Sequence, residues 1–494
     1  MKTMPESTES IRDTFYTLLI ILALGITTAR IVAVERTFEP SMYRAESVES
    51  YRGMNAIQPP RSWPTKRPEP TPMFSSNDRS RWATVRALVD EGKFSIGERI
   101  VDANEKKGYR DVGIIFENDY ASVDRILDPQ SQLFYSSKPP LFTVVLAGEY
   151  WLLKQMFGWS IVEDRWPVVC TILITVNVLP LWLYFVLLRR LVERLAVHDW
   201  TKMIVFATGT LGTFLTTFSI SLNNHVPAAC CVMFAMYALL KVSDDERMGP
   251  FDFALSGLCA GWAFCLELPA ASFVAGLGFL FLLRDVRGAL LCYVPFALLP
   301  LVALALLNVI VTGDVLPAYA KFGGPWYEYP GSHWYQDPTL PKKTGIDFAE
   351  EPLAIYAFHV LIGHHGLFSL TPIWVLSFAG MIVLTRQWFG ERAIFPAFGM
   401  VALGISVVVI AFYIGRSNNY GGFTGGLRWF FWLNPIWLIT MVPILDRLAL
   451  REWGRRLGYA LLAITVFSVS YPMWNPWRHP WIYQLCEYTG WLVY

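Results

Sequence analysis

The feature that most constrains this chain is a succession of apolar segments, each near the length that crosses a bilayer, joined mostly by short loops. They run Thr14–Val34, Trp166–Leu188, Met203–Leu222, Val226–Leu240, Phe253–Cys265, Pro269–Leu283, Ala289–Val311, Leu367–Thr385, Ala393–Ile414, Trp429–Leu445 and Leu457–Met473. A hydrocarbon core of about 30 Å takes roughly 20 helical residues, and several of these runs are shorter. Backbone groups in lipid must be satisfied within a helix or a closed barrel. The chain is therefore expected to be an all-α integral membrane protein with about 11 transmembrane helices. Its composition agrees: 54% of residues are hydrophobic and 16% charged, against about 25% charged in soluble domains. A net charge of +1 excludes broad attraction to nucleic acid.

The first run follows Lys2 and Arg12 and could be a signal peptide, but its length and the lack of an A-x-A site favour an uncleaved helix. Arg30 near its end is placed to snorkel to the interface. With the N-terminus cytoplasmic, the basic residues gather on that side. They are Arg189, Arg190, Arg194, Lys202, Lys241, Arg247, Arg284, Arg287, Arg386, Arg392, Arg447, Arg451, Arg455 and Arg456. The opposite short loops hold little besides Arg416 and Arg428, which is a positive-inside pattern. The pattern requires Pro139–Gly158 to lie along the outer interface rather than to cross, and Glu149 and Lys154 suit that placement.

The resulting organisation is a cytoplasmic N-terminus and first helix (1–34), a long extracytoplasmic loop (35–165) and six helices (166–311). A second extracytoplasmic loop (312–366), four more helices (367–473) and an extracytoplasmic tail (474–494) complete it. The first loop opens with a Pro-rich stretch, Gln58 to Pro72, expected to be extended and mobile. A helical pattern follows at Ser80–Glu91 and ends at Gly92. Pro352–Ile362 in the second loop reads as another interfacial helix. The cysteines suggest neither a disulfide framework nor a zinc motif. Polar residues gather on the extracytoplasmic side: Asp78, Lys138, Asn223, Asn224, His225, Glu267, His364, His365, Arg416 and Arg428. Polar groups at membrane helix ends often line a cavity, although each alone could simply meet headgroups.

The stretch Tyr135-Ser136-Ser137-Lys138-Pro139-Pro140-Leu141 resembles the Lys-Pro-Pro-Leu segment of GT-C class membrane glycosyltransferases, in particular the aminoarabinose transferases and protein O-mannosyltransferases of the family 39 type. Asp78-Arg79-Ser80-Arg81-Trp82-Ala83 is similar to the class motif Asp-Glu-x-Arg-Tyr-Ala. Arg165-Trp166-Pro167, Gly366–Pro372 and Tyr420-Gly421-Gly422 to Arg428-Trp429 are also typical of the class. The resemblance implies a GT-C-like bundle whose long first loop carries juxtamembrane helices. It implies inverting transfer of a sugar from a polyprenyl-phosphate donor to a hydroxyl of a glycan, lipid or protein acceptor, at the outer face of a bacterial cytoplasmic membrane.

In that scheme Asp78 is the catalytic base, and Lys138 and Arg428 hold the donor phosphate. Asn224, His225, Glu267, Tyr135 and Tyr420 are the candidate sugar or acceptor contacts. Two departures stand out. Arg79 replaces the second acid of the first motif, and Asn223-Asn224-His225 stands where a second acidic pair is usual. Both weaken the case for a divalent metal, and no other cofactor is expected. Glu267 can supply the missing carboxylate, or can simply cap a turn. His364 and His365, adjacent in sequence, would point to different sides of a helix, which argues against a shared metal. A non-catalytic scaffold on the same fold stays open. A transporter fits less well, because repeated halves and midplane charges are lacking.

Overall fold

The computed structural model describes residues 6–33, 71–73, 75–117, 119–242, 246–343, 345–417 and 419–492. Most of the Pro-rich stretch expected to be extended lies outside them. Every apolar segment named above coincides with a helix or a broken pair of helices. Four helical stretches are long and apolar enough to cross a membrane: Glu9–Ala33, Arg165–Leu195, Val286–Thr312 and Ile394–Arg416. A fifth is the pair Arg428–Thr440 and Val442–Ala449, bent by 43°. The chain is thus an integral membrane protein, but the length and apolarity of the described helices do not bear out a count of eleven crossings.

The shortfall has local causes. The segment expected over Met203–Leu222 breaks at Gly212 into Asp199–Leu211 and Phe214–Phe218. Pro372, which lacks an N–H, separates Leu367–Leu370 from Trp374–Glu391. His225–Leu240 and Pro250–Leu266 are apolar but short. The second of these packs backbone to backbone on its neighbour: a Cβ on Gly257 would lie 2.2 Å from the Tyr293 carbonyl oxygen, and one on Gly261 2.3 Å from that of Ala297. Two glycines four residues apart on one face allow that approach.

Helix α1 (Glu6–Ala33) runs against the stretch Arg165–Leu195 and is tied to it at both ends. At one end, the Trp166 indole N–H donates to the Val32 carbonyl at 2.9 Å. At the other, Arg12 bridges Glu193 at 2.6 Å and Asp199 at 2.7 Å, and Lys202 reaches Glu193 at 2.9 Å. Arg30 is buried, 7% exposed, with Nε and Nη2 lacking a hydrogen-bond partner among the described residues, rather than reaching out to an interface.

The loop at the Trp166 end holds α2 (Ser76–Arg86), a four-stranded antiparallel sheet and α3 (Pro140–Phe157). Ser75 and Asp78 form a capping box at the start of α2, and Gly92 closes the following turn in the left-handed region at φ 67°. The sheet runs in the order β2 (Tyr109–Val112), β1 (Gly97–Val101), β4 (Leu133–Ser136), β3 (Arg125–Leu127). No part of it was expected from the sequence. Pro140 opens α3 at its first position, and Gly158 ends it at φ 72°. Exposed Trp151, Leu152, Met156 and Phe157 give α3 an apolar outer side.

Candidate functional site

The hairpin β3–β4 brings two distant charges together. Arg125 pairs with Ser136, so the residue before β3 and those after β4 leave the ladder at the same edge. There the Ser137 N–H donates to the Asp124 carbonyl at 3.2 Å. The Lys138 ammonium lies 2.9 Å from Asp124 Oδ1. Helix α2 docks on that edge through Ser80, whose hydroxyl donates to the Asp124 carbonyl at 2.6 Å.

The next residue, Arg81, is 3% exposed. It bonds the Asn77 side chain and donates from Nη2 to Asn224 Oδ1 at 2.7 Å. Asn224 Nδ2 then donates to Glu267 Oε1 at 2.7 Å and to the Leu266 carbonyl at 2.9 Å. His225 Nδ1 is hydrogen-bonded to the same carboxylate, and its Nε2 faces Arg428 Nη1 at 3.2 Å. Because arginine only donates, Nε2 is the acceptor and the ring proton sits on Nδ1. Arg428 also donates from Nη2 to the Gly421 carbonyl at 3.1 Å and lies over the Trp477 ring at 4.9 Å.

Arg81, Lys138 and Arg428 share the field of Asp124, while Glu267 acts on both arginines, Asp78 on Arg81 and Asp347 on Arg428. Burial pushes the Glu267 carboxyl up from its ordinary 4.5 to about 8, against the pull of Arg428 and Arg81. Burial would also raise Asp124, but Lys138, then Arg428 and Arg81, hold it below its ordinary value. Burial drives Lys138 down, and Asp124 works against that. Protonation of Glu267 shifts the balance of the cluster by one positive charge. Among the described residues, the buried Nε atoms of Arg81 and Arg428 have no hydrogen-bond partner. Three cations held together, two of them with Nε donors that have no partner among the described residues, offer binding groups to an anion.

Of the residues singled out in the sequence, Lys138, Arg428, Asn224, His225 and Glu267 converge here. Asp78 sits one turn before Arg81, where its Oδ1 accepts from the backbone N–H of Ser75 at 2.6 Å and of Arg79 at 2.9 Å. Tyr135 turns its ring to Trp326, with centroids 6.2 Å apart. Tyr420 joins a histidine group instead: its ring stacks on His365, centroids 4.8 Å apart. His364 and His365 lie in a turn flanked by Gly363 and Gly366, and not in a helix, so the expectation that their rings diverge fails. Their Nδ1 atoms are 2.5 Å apart. Asp124 was missed. Its one signal was the pair of short strand-like runs around Asp128-Pro129, which set it opposite Ser137.

A divalent cation does not fit this donor set. The Glu267 oxygen is taken by Asn224 and His225, and two cations, Arg428 and Arg81, act on it. Asn223 Oδ1 is spent on the backbone N–H of His225 and Val226 at 2.9 and 3.0 Å.

No protein-family model matches the sequence, and no curated protein is similar to it. Among solved structures, the fold is similar to the apo oligosaccharyltransferase of Archaeoglobus fulgidus, with 12% identity and a TM-score of 0.46 over 95% of this chain and 56% of that one. It is also similar to apo ArnT from Cupriavidus metallidurans, with 14% identity and a TM-score of 0.45 over 81% of this chain and 60% of that one. ArnT bound to undecaprenyl phosphate scores 0.42 at 14% identity, over 81% of this chain and 61% of that one. The chain spans less than two thirds of the length of any of them. At these scores the similarities bear neither on the residues of the site nor on its chemistry.

Proposed function

We propose that this chain is a membrane glycosyltransferase that moves a sugar from a polyprenyl-phosphate donor to an acceptor hydroxyl on the extracytoplasmic face, with inversion. The observation that carries the reading is the gathering of three cations, Arg81, Lys138 and Arg428, around Asp124, with Nε donors on both arginines that have no partner among the described residues. An anion receptor at the helix ends of a membrane protein suits a lipid-borne phosphate. Lys138 immediately precedes the Pro-Pro start of α3, whose N-terminus adds a favourable partial positive charge.

In this reading Lys138 and Arg428 hold the donor phosphate and stabilise it as charge grows on the leaving group. Arg81 completes the binding face. Asp124 positions Lys138 through their ion pair. Asp78, oriented by its capping contacts at the start of the helix that carries Arg81, takes the proton of the attacking hydroxyl as the new C–O bond forms. Asn224, His225 and Glu267 present hydrogen-bonding groups to the sugar, and Tyr135, in β4 three residues before Lys138, is a sugar or acceptor contact.

Transfer of labelled sugar from a polyprenyl-phosphate donor in membranes containing the chain tests this. Asp78→Asn should lower transfer by about two to four orders of magnitude with donor binding retained. Near-full activity of Asp78→Asn would move the base elsewhere. Donor binding with no transfer by the parent, across donor sugars, would favour the scaffold.

A further inference from the structure

Outside the cation cluster, the second long loop gathers a different set of donors. Glu351 precedes the helix Leu353–Leu361, His359 sits in its last turn, and His364 follows in the Gly363–Gly366 turn. One donor atom from each lies within 4.8 Å of the other two. His359 Nε2 faces Glu351 Oε1 at 3.9 Å, and the His359 and His364 rings lie nearly parallel, with centroids 4.0 Å apart. Among the described residues, the buried Nδ1 of His359 has no hydrogen-bond partner.

We propose that Glu351, His359 and His364 bind a transition-metal ion of the Zn2+ type, with a fourth position left for water or a ligand. Two imidazoles and one carboxylate are a donor set that Zn2+ takes, and it is poor for Ca2+ or Mg2+. Donors about 2.1 Å from a tetrahedral ion lie roughly 3.4 Å apart, so small side-chain rotations close the set.

Outer contacts of the kind that steady metal ligands are in place. Tyr420 hydrogen-bonds Glu351 Oε2, the oxygen away from His359, and the His365 Nδ1 contact holds the ring of His364. Tyr420 is followed by Gly421, whose carbonyl accepts from Arg428, so the ion would brace the turn that carries a residue of the anion receptor. The proposal stands on its own donors and does not depend on the transfer reading.

The test uses the purified full chain in detergent, stripped with a chelator, reloaded with Zn2+ and dialysed. One Zn2+ per chain should remain, and it should raise the unfolding temperature. Glu351→Gln, His359→Ala and His364→Ala should each lose the bound metal and that rise, whereas His225→Ala should keep both. Co2+ in the parent should give the visible absorption of a low-coordinate site, and His359→Cys should add a sulfur-to-metal charge-transfer band. That gain of signal does not depend on an alanine variant folding. No retained Zn2+ in the parent, loss on His225→Ala with retention on His359→Ala, or a His359→Cys spectrum without the sulfur band would each overturn the site.

Discussion

Lys138 and Arg428 differ in how the protein holds them, and that difference sets what their removal should do. Lys138 is paired with Asp124, so Lys138→Ala also leaves a carboxylate unpaired in a half-buried place. Arg428 is held by His225 and the Gly421 carbonyl, both neutral. Both alanine variants should weaken binding of polyprenyl phosphate, and Lys138→Arg should restore it only in part, because guanidinium and ammonium differ in shape and hydration. The double variant Lys138→Ala/Asp124→Asn should bind better than Lys138→Ala alone, since it removes a negative charge facing the phosphate. Equilibrium binding of labelled polyprenyl phosphate measures all four. Binding by Arg428→Ala as tight as the parent would reduce Arg428 to a structural contact.

Glu267 gives the anion receptor a pH dependence whose sign is fixed. Its carboxyl is raised to about 8, so below that pH the neutral form adds no negative charge to the cluster. As pH rises through about 8 the carboxylate forms and repels a bound phosphate. Affinity for a singly charged lipid phosphodiester should therefore fall across that range, and Glu267→Gln should flatten the fall. A diester is the suitable probe because its own charge does not change there. Equal slopes in the parent and Glu267→Gln would remove Glu267 from the electrostatics of the site.

At the level of elements, glycines decide where helices meet. A Cβ on Gly380 would lie 1.8 Å from the Thr440 carbonyl oxygen, so Trp374–Glu391 rests directly on the backbone of the bent pair. Gly380→Ala and Gly261→Ala should each destabilise the chain by about 1 to 3 kcal/mol, as overpacking does. Gly148 in α3 meets nothing within 4 Å, and Gly148→Ala should be neutral or stabilising. Thermal unfolding in one detergent ranks the three.

This scale is also where sequence reading worked best and where it stopped. The apolar runs, the helix ending at Gly92 and the helix from Pro140 to Gly158 were legible because periodicity and end signals act within about ten residues. The sheet was not. Its strands are three to five residues long and carry Glu98, Arg99, Arg110, Asp111 and Arg125, so alternation is masked by charge. Asp124 stayed hidden with it, because only the pairing of Arg125 with Ser136 sets it beside Lys138. The histidine group was misread for a similar reason: helix geometry was assumed where two glycines make a turn.

Across the whole molecule, charges of different kinds sit at the two ends of one antiparallel pair. The end of α1 at Arg12 joins a compensated network of Arg12, Glu193, Asp199 and Lys202, and Arg189 meets Asp13 at 2.7 Å. The end at Trp166 leads into the loop with the Arg81, Lys138 and Arg428 cluster, through Arg165 on Asp119 at 2.8 Å. A network of direct ion pairs suits a membrane surface where it only anchors helices, and cations with spare donors suit a place that receives an anion. From the basic loops we propose that the Arg12 end lies in the cytoplasm and the cluster outside. This orientation depends on α3 lying in the interface. Its apolar outer side with Lys154 bound to Asp90 at 2.7 Å is what such a helix presents. Gln155, exposed near the end of α3, is the position that tests it. In a Cys486→Ser background, Gln155→Cys should react with an impermeant thiol reagent added to intact cells. A cysteine placed at exposed Arg190 should react only after the membrane is opened. Labelling of Gln155→Cys from the cytoplasmic side alone would turn α3 into a crossing helix and reverse the placement of every loop after it.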